Sequence, residues 1–436
     1  MGINKVLIHR KNNSNGVVET VTSPIPHEEY QHQLIITRAE KEIIDRIRAH
    51  PGLSKSELVA YTEYSRTKIS GCVDNLLQRN YIIENEETEY SGGRRSRTYS
   101  INGRFGFLAG VDIGATSIDI AIADLSRKVL IRNAEPAQVR EGPIKILGRV
   151  STLLESMVRE IGFAPEDLLG VGIGVPGPVD FHRGMVISPP IMPGWDRYPI
   201  IQTVSQWFPR ANIVVDNDVN VMALGELYAG NARGIENLIF VKIGTGIGAG
   251  IICKGEIYRG ASGCAGDIGH ISVSKSGPVC HCGNRGCLES LASGPAMAER
   301  ALIAAEAGKS RVLLDRYVSR GNSFSAEDIG FGAREGDQLS IEIIRESGEM
   351  VGDVLASLVN FYNPEMIVIG GGVSNLGNLL LSSIRQAVLR RSTPLATRNL
   401  DIVFSAIGAD AGVIGAINLA LDHLFVVLPA GEMEVD

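Results

Sequence analysis

The segments that decide the fold are Val111-Asp-Ile-Gly-Ala-Thr-Ser117 and Lys242-Ile-Gly-Thr-Gly-Ile-Gly-Ala-Gly250. Each follows an apolar, β-rich run and ends in a glycine turn, so the second segment reads as a repeat of the first. The surrounding chain alternates β-rich runs with helical stretches such as Asp337–Tyr362. This alternation predicts α/β layers, with one copy of the duplicated half in each of two lobes. The predicted strands are Leu108–Ile113, Leu169–Val175, Ile213–Val215, Leu238–Ile243 and Met366–Ile369.

Glycine turns at strand ends can hold phosphate. The first turn, Asp112 to Thr116, offers backbone amides and a hydroxyl to phosphoryl oxygens. The second turn has glycines that allow a ligand to approach the backbone closely, and Gly370-Gly371-Gly372 forms a third turn after a strand. Such turns also end strands where no ligand binds. Together they favour a nucleotide or sugar-phosphate cleft.

The segment Asp216-Asn217-Asp218-Val219-Asn220 follows the predicted strand Ile213–Val215. An aspartate at the carboxyl end of a strand can take a proton from a substrate hydroxyl, while a neighbouring amide holds another hydroxyl. The alternative is an Asx turn that caps the helix beginning near Val221. Position in the sequence does not decide between them.

Three of the six cysteines fall in the segment Cys280-His-Cys282-Gly-Asn-Arg-Gly-Cys287, and His270 lies upstream. Three thiolates and one imidazole suit a tetrahedral Zn²⁺. His281 is a competing nitrogen ligand, but its place between two thiolate donors would strain the loop. Four protein ligands leave no open position, so the role of the metal would be structural. The alternative is a set of free reduced cysteines.

Residues 37–104 have the order of a winged helix-turn-helix: three short helices and a hairpin. Ser54 and Glu57 form a capping box, and Ser65 can cap the third helix, whose apolar stripe is Ile69, Val73, Leu76 and Leu77. The first turn of that helix would enter the major groove, and the wing would supply charge to the phosphates. The alternative is a helical packing domain with a solvated basic loop. The candidate DNA-binding residues are Ser65, Arg66, Thr67, Lys68, Ser70, Arg94, Arg95 and Arg97.

Composition narrows the class of protein. The chain has 44% hydrophobic and 21% charged residues, which is typical of a globular protein, and its net charge of −7 argues against a general polyanion binder. It shows no segment apolar and long enough to span a membrane and no signal peptide, so we expect a cytoplasmic protein. Residues 1–36 are polar, and we expect a flexible arm there.

Taken together, these motifs resemble the ROK family, which groups bacterial sugar-responsive repressors with sugar kinases of the actin-like ATPase fold. The resemblance runs from about Thr37 to Phe425, and the helix-turn-helix resembles the repressor branch, that of the xylose and N-acetylglucosamine repressors. It implies an N-terminal winged helix-turn-helix followed by a two-lobed, actin-like α/β fold. The implied domains are an arm at 1–36, the winged helix at 37–104, a first lobe at 105–217 plus 410–436, and a second lobe with the zinc loop at 218–409.

The resemblance also implies roles for single residues. Asp218 stands at the position of the kinases' catalytic base. The implied sugar ligands are Asn217, Asp218, Asp267, His270 and Glu289. The implied Zn²⁺ ligands are His270, Cys280, Cys282 and Cys287. The implied nucleotide-binding residues are Asp112, Gly114, Thr116, Gly244, Thr245, Gly246, Gly370, Gly371 and Gly372.

Departures from the kinase pattern weaken the phosphate loops. Ala115 stands where the kinases have a second glycine, Ser117 stands where they have lysine, and Ala249 intrudes on the second loop.

The sequence therefore predicts a DNA-binding, sugar-responsive regulator, a homodimer or higher oligomer that represses carbohydrate-utilisation genes. Its effector would be a sugar or sugar phosphate, with a sugar-transport protein as the alternative input. The rival hypothesis is an ATP- and Mg²⁺-dependent hexose kinase that retains a DNA-binding domain.

Overall fold

The computed structural model describes residues 6–12, 18–24, 34–85, 97–189 and 192–427. The chain divides into two compact units. The N-terminal unit combines Met1–Arg79, Glu84–Ser100 and His423–Asp436, and the large unit combines Asn80–Ile83 and Ile101–Asp422.

The N-terminal unit is built on three short helices that share one apolar core. Ile43, Ile47, Leu58, Ile69 and Leu76 are fully buried in it. The third helix buries Cys72 in addition to Ile69, Val73 and Leu76, whereas the predicted Leu77 is only partly buried. The elements up to this point are β1 (Val6–Asn12), β2 (Val18–Pro24), β3 (Leu34–Ile36), α1 (Arg38–Ala49), β4 (Leu53–Ser54), α2 (Lys55–Tyr61), α3 (Arg66–Gln78), β5 (Ile82–Glu84) and β6 (Thr98–Ile101).

Hydroxyl side chains fix where these helices begin. Thr37 and Ser54 form reciprocal capping boxes with the glutamates three residues later, and Ser65 accepts a hydrogen bond from the backbone of Lys68. The predicted caps at Ser54 and Ser65 are confirmed. Strand β4 pairs with β6, with Leu53 opposite Tyr99.

The first lobe of the large unit is a sheet with the strand order β13-β10-β7-β8-β9. Strands β7 and β10 are parallel, as are β10 and β13, while β8 and β9 continue as antiparallel hairpins. One face packs on α4, whose apolar side includes the buried Leu147 and Leu154. The elements are β7 (Phe107–Ile113), β8 (Ser117–Asp124), β9 (Val129–Pro136), α4 (Pro143–Glu160), β10 (Leu168–Val175), β11 (Val179–Asp180), β12 (Met185–Val186), α5 (Ile200–Ser205) and β13 (Asn212–Asn217).

The second lobe repeats this plan, with the strand order β16-β15-β14-β17-β18. Strand β14 is antiparallel to β15 and parallel to β17, as β7 is to β8 and β10. Its core lies against α8, α11 and α12. All five predicted strands and the long helix are present. The elements are α6 (Asp218–Ala229), β14 (Leu238–Ile243), β15 (Ile247–Cys253), β16 (Glu256–Ile257), α7 (Glu289–Ala292), α8 (Gly294–Glu306), α9 (Arg311–Ser319), α10 (Ala326–Arg334), α11 (Gln338–Tyr362), β17 (Met366–Gly370), α12 (Asn378–Arg391), α13 (Pro394–Thr397), β18 (Asp401–Phe404), α14 (Ala411–Asp422) and β19 (Phe425–Val427).

Glycines allow α6 and α14 to pack closely. A Cβ on Gly415 of α14 would lie 1.7 Å from the Val221 carbonyl oxygen of α6, and one on Gly225 would lie 2.1 Å from the Ala411 oxygen. A Cβ on Gly172 in β10 would lie 2.0 Å from the Ala416 oxygen. Because no side chain separates these backbones, α14 lies directly on the first sheet and against α6.

The two ends of the chain differ from the predictions. Residues 6–12 and 18–24 form an antiparallel pair of strands, which the sequence did not predict within the proposed flexible arm. Strand β19 pairs in parallel with β3, which puts 425–427 in the N-terminal unit rather than in the first lobe. Pairing between the two ends of a chain leaves no local signal in the sequence. Among the described helices, none combines the length and the hydropathy needed to cross a bilayer.

Candidate functional site

The first feature of the site is the junction between β13 and α6. Asn217 caps α6: its Oδ1 accepts hydrogen bonds from the backbone N–H groups of Val219 and Asn220, and its Nδ2 donates to the Gly177 oxygen. This is the capping arrangement that the sequence left open as an alternative. Asp218 is the first residue of α6 and is 5% exposed.

Lys242 pairs with Asp218. The lysine lies on β14, and its Nζ donates to Asp218 Oδ2 at 2.5 Å. Asp112, at the end of β7, interacts electrostatically with both groups. Burial raises the pKa of Asp112 to about 7, with Lys242 acting in the opposite direction. The pKa of Lys242 is raised, because attraction to Asp218 and Asp112 outweighs its burial.

Asp216 is committed to a different partner. It is buried and accepts hydrogen bonds from Arg259 Nε at 2.8 Å and Asn220 Nδ2 at 3.0 Å. The Arg259 guanidinium also lies 3.7 Å from the centroid of the Phe181 ring. Sequence reasoning assigned no role to Lys242 or Arg259. A lysine inside the apolar strand Leu238–Ile243 was the available signal for Lys242, but nothing local marked Arg259.

Glu289 lies against the second glycine loop. Its Oε2 accepts a hydrogen bond from the Ile247 backbone at 3.0 Å, and a Cβ on Gly246 would come within 2.5 Å of that oxygen. Glu289 and Asp218 therefore both contact the β14–β15 hairpin, Asp218 through Lys242 and Glu289 through Ile247. The structure brings these two predicted sugar ligands to one hairpin.

The glycine loops differ in what they expose. Thr116 and Thr245 are exposed at their loop tips, and Gly371, at φ 84°, allows its turn to approach the Ile243 carbonyl oxygen. Ala115 is partly buried, and its carbonyl accepts a hydrogen bond from the Val139 N–H. The expectation that Ala249 intrudes on the second loop is wrong, because its side chain is 3% exposed and belongs to the core of the lobe.

The predicted metal ligands converge. One ligand atom each from His270, Cys280, Cys282 and Cys287 lies within 4.8 Å of the others, and His281 is exposed outside this cluster. Cys280 Sγ is 3.5 Å from His270 Nδ1, and Cys282 Sγ is 3.7 Å from Cys287 Sγ. The chain curls back at Gly286, where a Cβ would collide with the Ser274 carbonyl. Asp267 Oδ1 is 3.8 Å from His270 Nε2, the other ring nitrogen.

The chemistry of this donor set fits a metal cation. Burial raises the pKa of Cys280 and that of Cys287, the latter to about 12. Cys282 is the exposed thiol of the set, and a hydrogen bond from the Asn284 backbone lowers its pKa. Neutral thiols packed this closely gain little from one another, whereas a bound cation deprotonates coordinating thiols. The His/Cys cluster can therefore hold a metal ion, and three sulfurs with one nitrogen are a donor set typical of structural zinc.

The helix α3 presents three of the eight predicted DNA-binding residues to solvent. Arg66, Thr67 and Lys68 are exposed in its first turn. Ser65 is occupied as the N-cap. Ser70 accepts a hydrogen bond from Lys55 Nζ at 2.9 Å, within an ion pair of Lys55 with Asp74 that ties α2 to α3.

The predicted wing is described in part. Arg94 and Arg95 lie outside the described residues. Arg97 is exposed and forms an ion pair with Glu84 at 3.2 Å. The negative charge of Glu84 is therefore paired with a positive one, which reduces its repulsion toward a polyanion.

The ROK family profile matches residues 108–423. The chain belongs to the ROK family. It is 32% identical over 375 residues to a protein named xylose repressor from Caldicellulosiruptor bescii, covering 85% of this chain and 92% of that one.

Two solved structures of the family are similar to this chain, one a transcriptional regulator and the other a kinase. A ROK family transcriptional regulator, a homologue of the E. coli Mlc protein, superposes with a TM-score of 0.77 at 26% identity and covers 88% of this chain and 96% of its own. A ROK family glucokinase from Streptomyces griseus, solved with glucose and AMPPNP, superposes with a TM-score of 0.64 at 31% identity and covers 73% of this chain and 100% of its own. The regulators match more of this chain than the kinase does.

Proposed function

We propose that this protein is a sugar-responsive transcriptional repressor whose N-terminal unit is a winged helix-turn-helix that binds an operator. The observation that carries the proposal is the extent of the match. The glucokinase aligns over its full length and still covers only 73% of this chain, whereas the xylose repressor and the transcriptional regulator cover 85% and 88%. The additional matched length accommodates a DNA-binding unit, which a kinase does not need.

The exposed first turn of α3 supports the proposal that this helix contacts bases in the major groove. Arg66 and Lys68 can donate to guanine edges in the major groove, and Thr67 can contact bases or phosphates. Arg97 would add a phosphate contact. A helix-turn-helix protein commonly reads two half-sites by two-fold symmetry, so we propose a homodimer or higher oligomer acting in the cytoplasm.

The effector is proposed to be a sugar or sugar phosphate bound beside the β14–β15 hairpin of the large unit, between Asp218 and Glu289. We call this place the cleft. Asp218 and Glu289 would accept hydrogen bonds from its hydroxyls, with Asn217, Asp267 and His270 as further ligands. Zn²⁺ held by the His/Cys cluster would supply a rigid cross-link that fixes His270 and Glu289 at the cleft. A sugar can change DNA affinity only by binding one arrangement of the protein better than another.

Fluorescence anisotropy with labelled promoter fragments from near the protein's own gene tests the proposal. We expect salt-dependent, sequence-specific binding that changes on addition of one member of a panel containing xylose, glucose, N-acetylglucosamine and their phosphates. The Asp218→Asn protein should bind the same fragment but lose the sugar response. Equal affinity for promoter and random duplexes would contradict the proposal.

The roles of the basic residues are separable. Arg66→Ala should reduce discrimination between specific and random duplexes by about 1–3 kcal/mol, whereas Arg97→Ala should weaken binding to both alike and reduce the salt slope. Arg159→Ala, in an exposed ion pair of the first lobe, is the control and should change neither. Equal losses on both duplexes for Arg66→Ala would show that α3 does not read bases.

A hexose kinase is the second candidate, because the matched glucokinase was solved with both sugar and nucleotide analogue. A coupled assay with ATP, Mg²⁺ and the same sugar panel measures it. Turnover abolished by Asp218→Asn would favour the kinase. A sugar-transport protein as the input would instead be revealed by a pull-down in which capture needs no added sugar.

A further inference from the structure

Asp112 and Lys242 occupy equivalent positions in the two lobes. Asp112 lies opposite Asp119 on the antiparallel neighbour β8 and opposite Gly174 on the parallel neighbour β10. Lys242 lies opposite Gly248 on β15 and Gly370 on β17 in the same arrangement. Each is followed by an isoleucine and a glycine whose N–H closes the next turn. The duplicated fold thus presents an acid from one lobe and a base from the other.

One oxygen of the Asp112 carboxylate lacks a hydrogen-bonding partner among the described residues. Asp112 Oδ1 is buried and accepts no hydrogen bond within the described part of the chain. Glycines make room for the carboxylate: a Cβ on Gly412 would lie 1.8 Å from Oδ2, and one on Gly174 would lie 3.4 Å from Oδ1. The neighbouring Asp119 is taken up by Arg132 at 3.4 Å.

The base compensates two carboxylates. Its ammonium contacts Asp218 at 2.5 Å and also attracts Asp112, while Asp112 and Asp218 repel each other. Asp112 and Asp218 are neighbours across Gly174 of β10, where a Cβ would lie 3.4 Å from Asp112 Oδ1 and 3.5 Å from Asp218 Cα. Neighbouring carboxylates are the ligands that a divalent cation takes in phosphoryl transfer, where the cation also neutralises the phosphates. A lysine side chain in that place supplies positive charge that cannot dissociate.

We propose that Lys242 is a tethered cation that replaces a divalent metal between Asp112 and Asp218, so that the cleft holds a sugar without a metal–nucleotide complex. The inference rests on the proposed function only in taking this cleft as the sugar site. An ammonium and a divalent ion at the same carboxylates repel each other strongly in a partly buried site. Lys242 also donates a hydrogen bond to Oδ2 of Asp218. It therefore acts as a positioning residue that leaves Oδ1 of Asp218 to face the sugar.

Mn²⁺ binding to the full-length, zinc-loaded protein tests this, with free Mn²⁺ measured by electron paramagnetic resonance and no sugar or DNA present. We expect no saturable cleft Mn²⁺ in the unaltered protein or in Lys242→Arg, which keeps the charge. Lys242→Met should bind one Mn²⁺ at least about tenfold more tightly, because the repulsion is gone. Asp112→Asn added to Lys242→Met should remove that site.

Two results would overturn the proposal. One is saturable Mn²⁺ in the unaltered protein that Asp112→Asn abolishes, and this result does not depend on how any lysine variant folds. The other is a folded Lys242→Met protein, shown by an unchanged near-UV spectrum, that gains no Mn²⁺; Lys242→Gln serves if the methionine variant does not fold. Failure to bind a promoter would refute the proposed function and leave these outcomes unaffected.

Discussion

The two lobes of the large unit share one strand order but use it differently. The first lobe carries Asp112 as the last residue but one of its central strand β7, and the second lobe carries Lys242 at the same position of the equivalent strand β14. The second lobe also carries the His/Cys cluster between β15 and α7. Strand order is set by apolar faces and glycine contacts that both halves keep, whereas charge and metal ligands occupy positions that the fold leaves free to vary.

The largest effect should come from the contacts that maintain the first lobe. Gly172→Ala would place a Cβ 2.0 Å from the Ala416 carbonyl oxygen, so α14 must move away. We expect a loss of about 3 kcal/mol in the free energy of unfolding, measured by urea denaturation. Gly148→Ala is the matched control: its Cβ meets nothing within 4 Å in α4, and it should stabilise by up to about 1 kcal/mol. Equal effects of both substitutions would show that close packing does not maintain the lobe.

The metal cluster should matter less to stability, because it cross-links one loop of the second lobe. Cys287→Ser, or chelation, should lower stability by about 2 kcal/mol, roughly 3 °C in the unfolding midpoint of a unit of this size. It should also weaken sugar binding, because Glu289 follows Cys287 closely. Cys264→Ser, at an exposed cysteine outside the cluster, is the control. Unchanged midpoint and sugar affinity in verified metal-free protein would contradict a structural zinc.

The smallest effect should come from the charge that the first lobe places at Asp112, and it should appear in the pH dependence of stability. The pKa of Asp112 is raised to about 7 in the folded protein, so the folded state retains a proton that the unfolded chain loses near pH 4. The contribution of Asp112 is therefore favourable at low pH and is lost as the pH rises toward 7. We measure how the free energy of unfolding in urea changes between pH 5 and pH 8. In Asp112→Asn this change should be more favourable than in the unaltered protein by about 1–2 kcal/mol. Identical pH dependence in both proteins would show that Asp112 does not titrate in this range.

The sequence predicted the elements of this fold well because they depend on local patterns. Apolar runs gave the strands, and the capping box at Ser54 and Glu57 gave the start of α2. The gathering of His270 with three cysteines was also predictable, because their residue types and spacing restrict the chemistry. Strands β1 and β2 were not predicted, because residues 1–36 show no sustained hydrophobic periodicity.

What the sequence determined by itself was the α/β duplication, the three-helix order of the N-terminal unit and the residues that can bind metal. Only the tertiary structure paired Lys242 with Asp218, Arg259 with Asp216, and the last strand with the third. Hydrophobic periodicity and capping act within a few residues, so the chain displays them directly. Ion pairs and strand pairs between distant segments exist only after the backbone has brought those segments together.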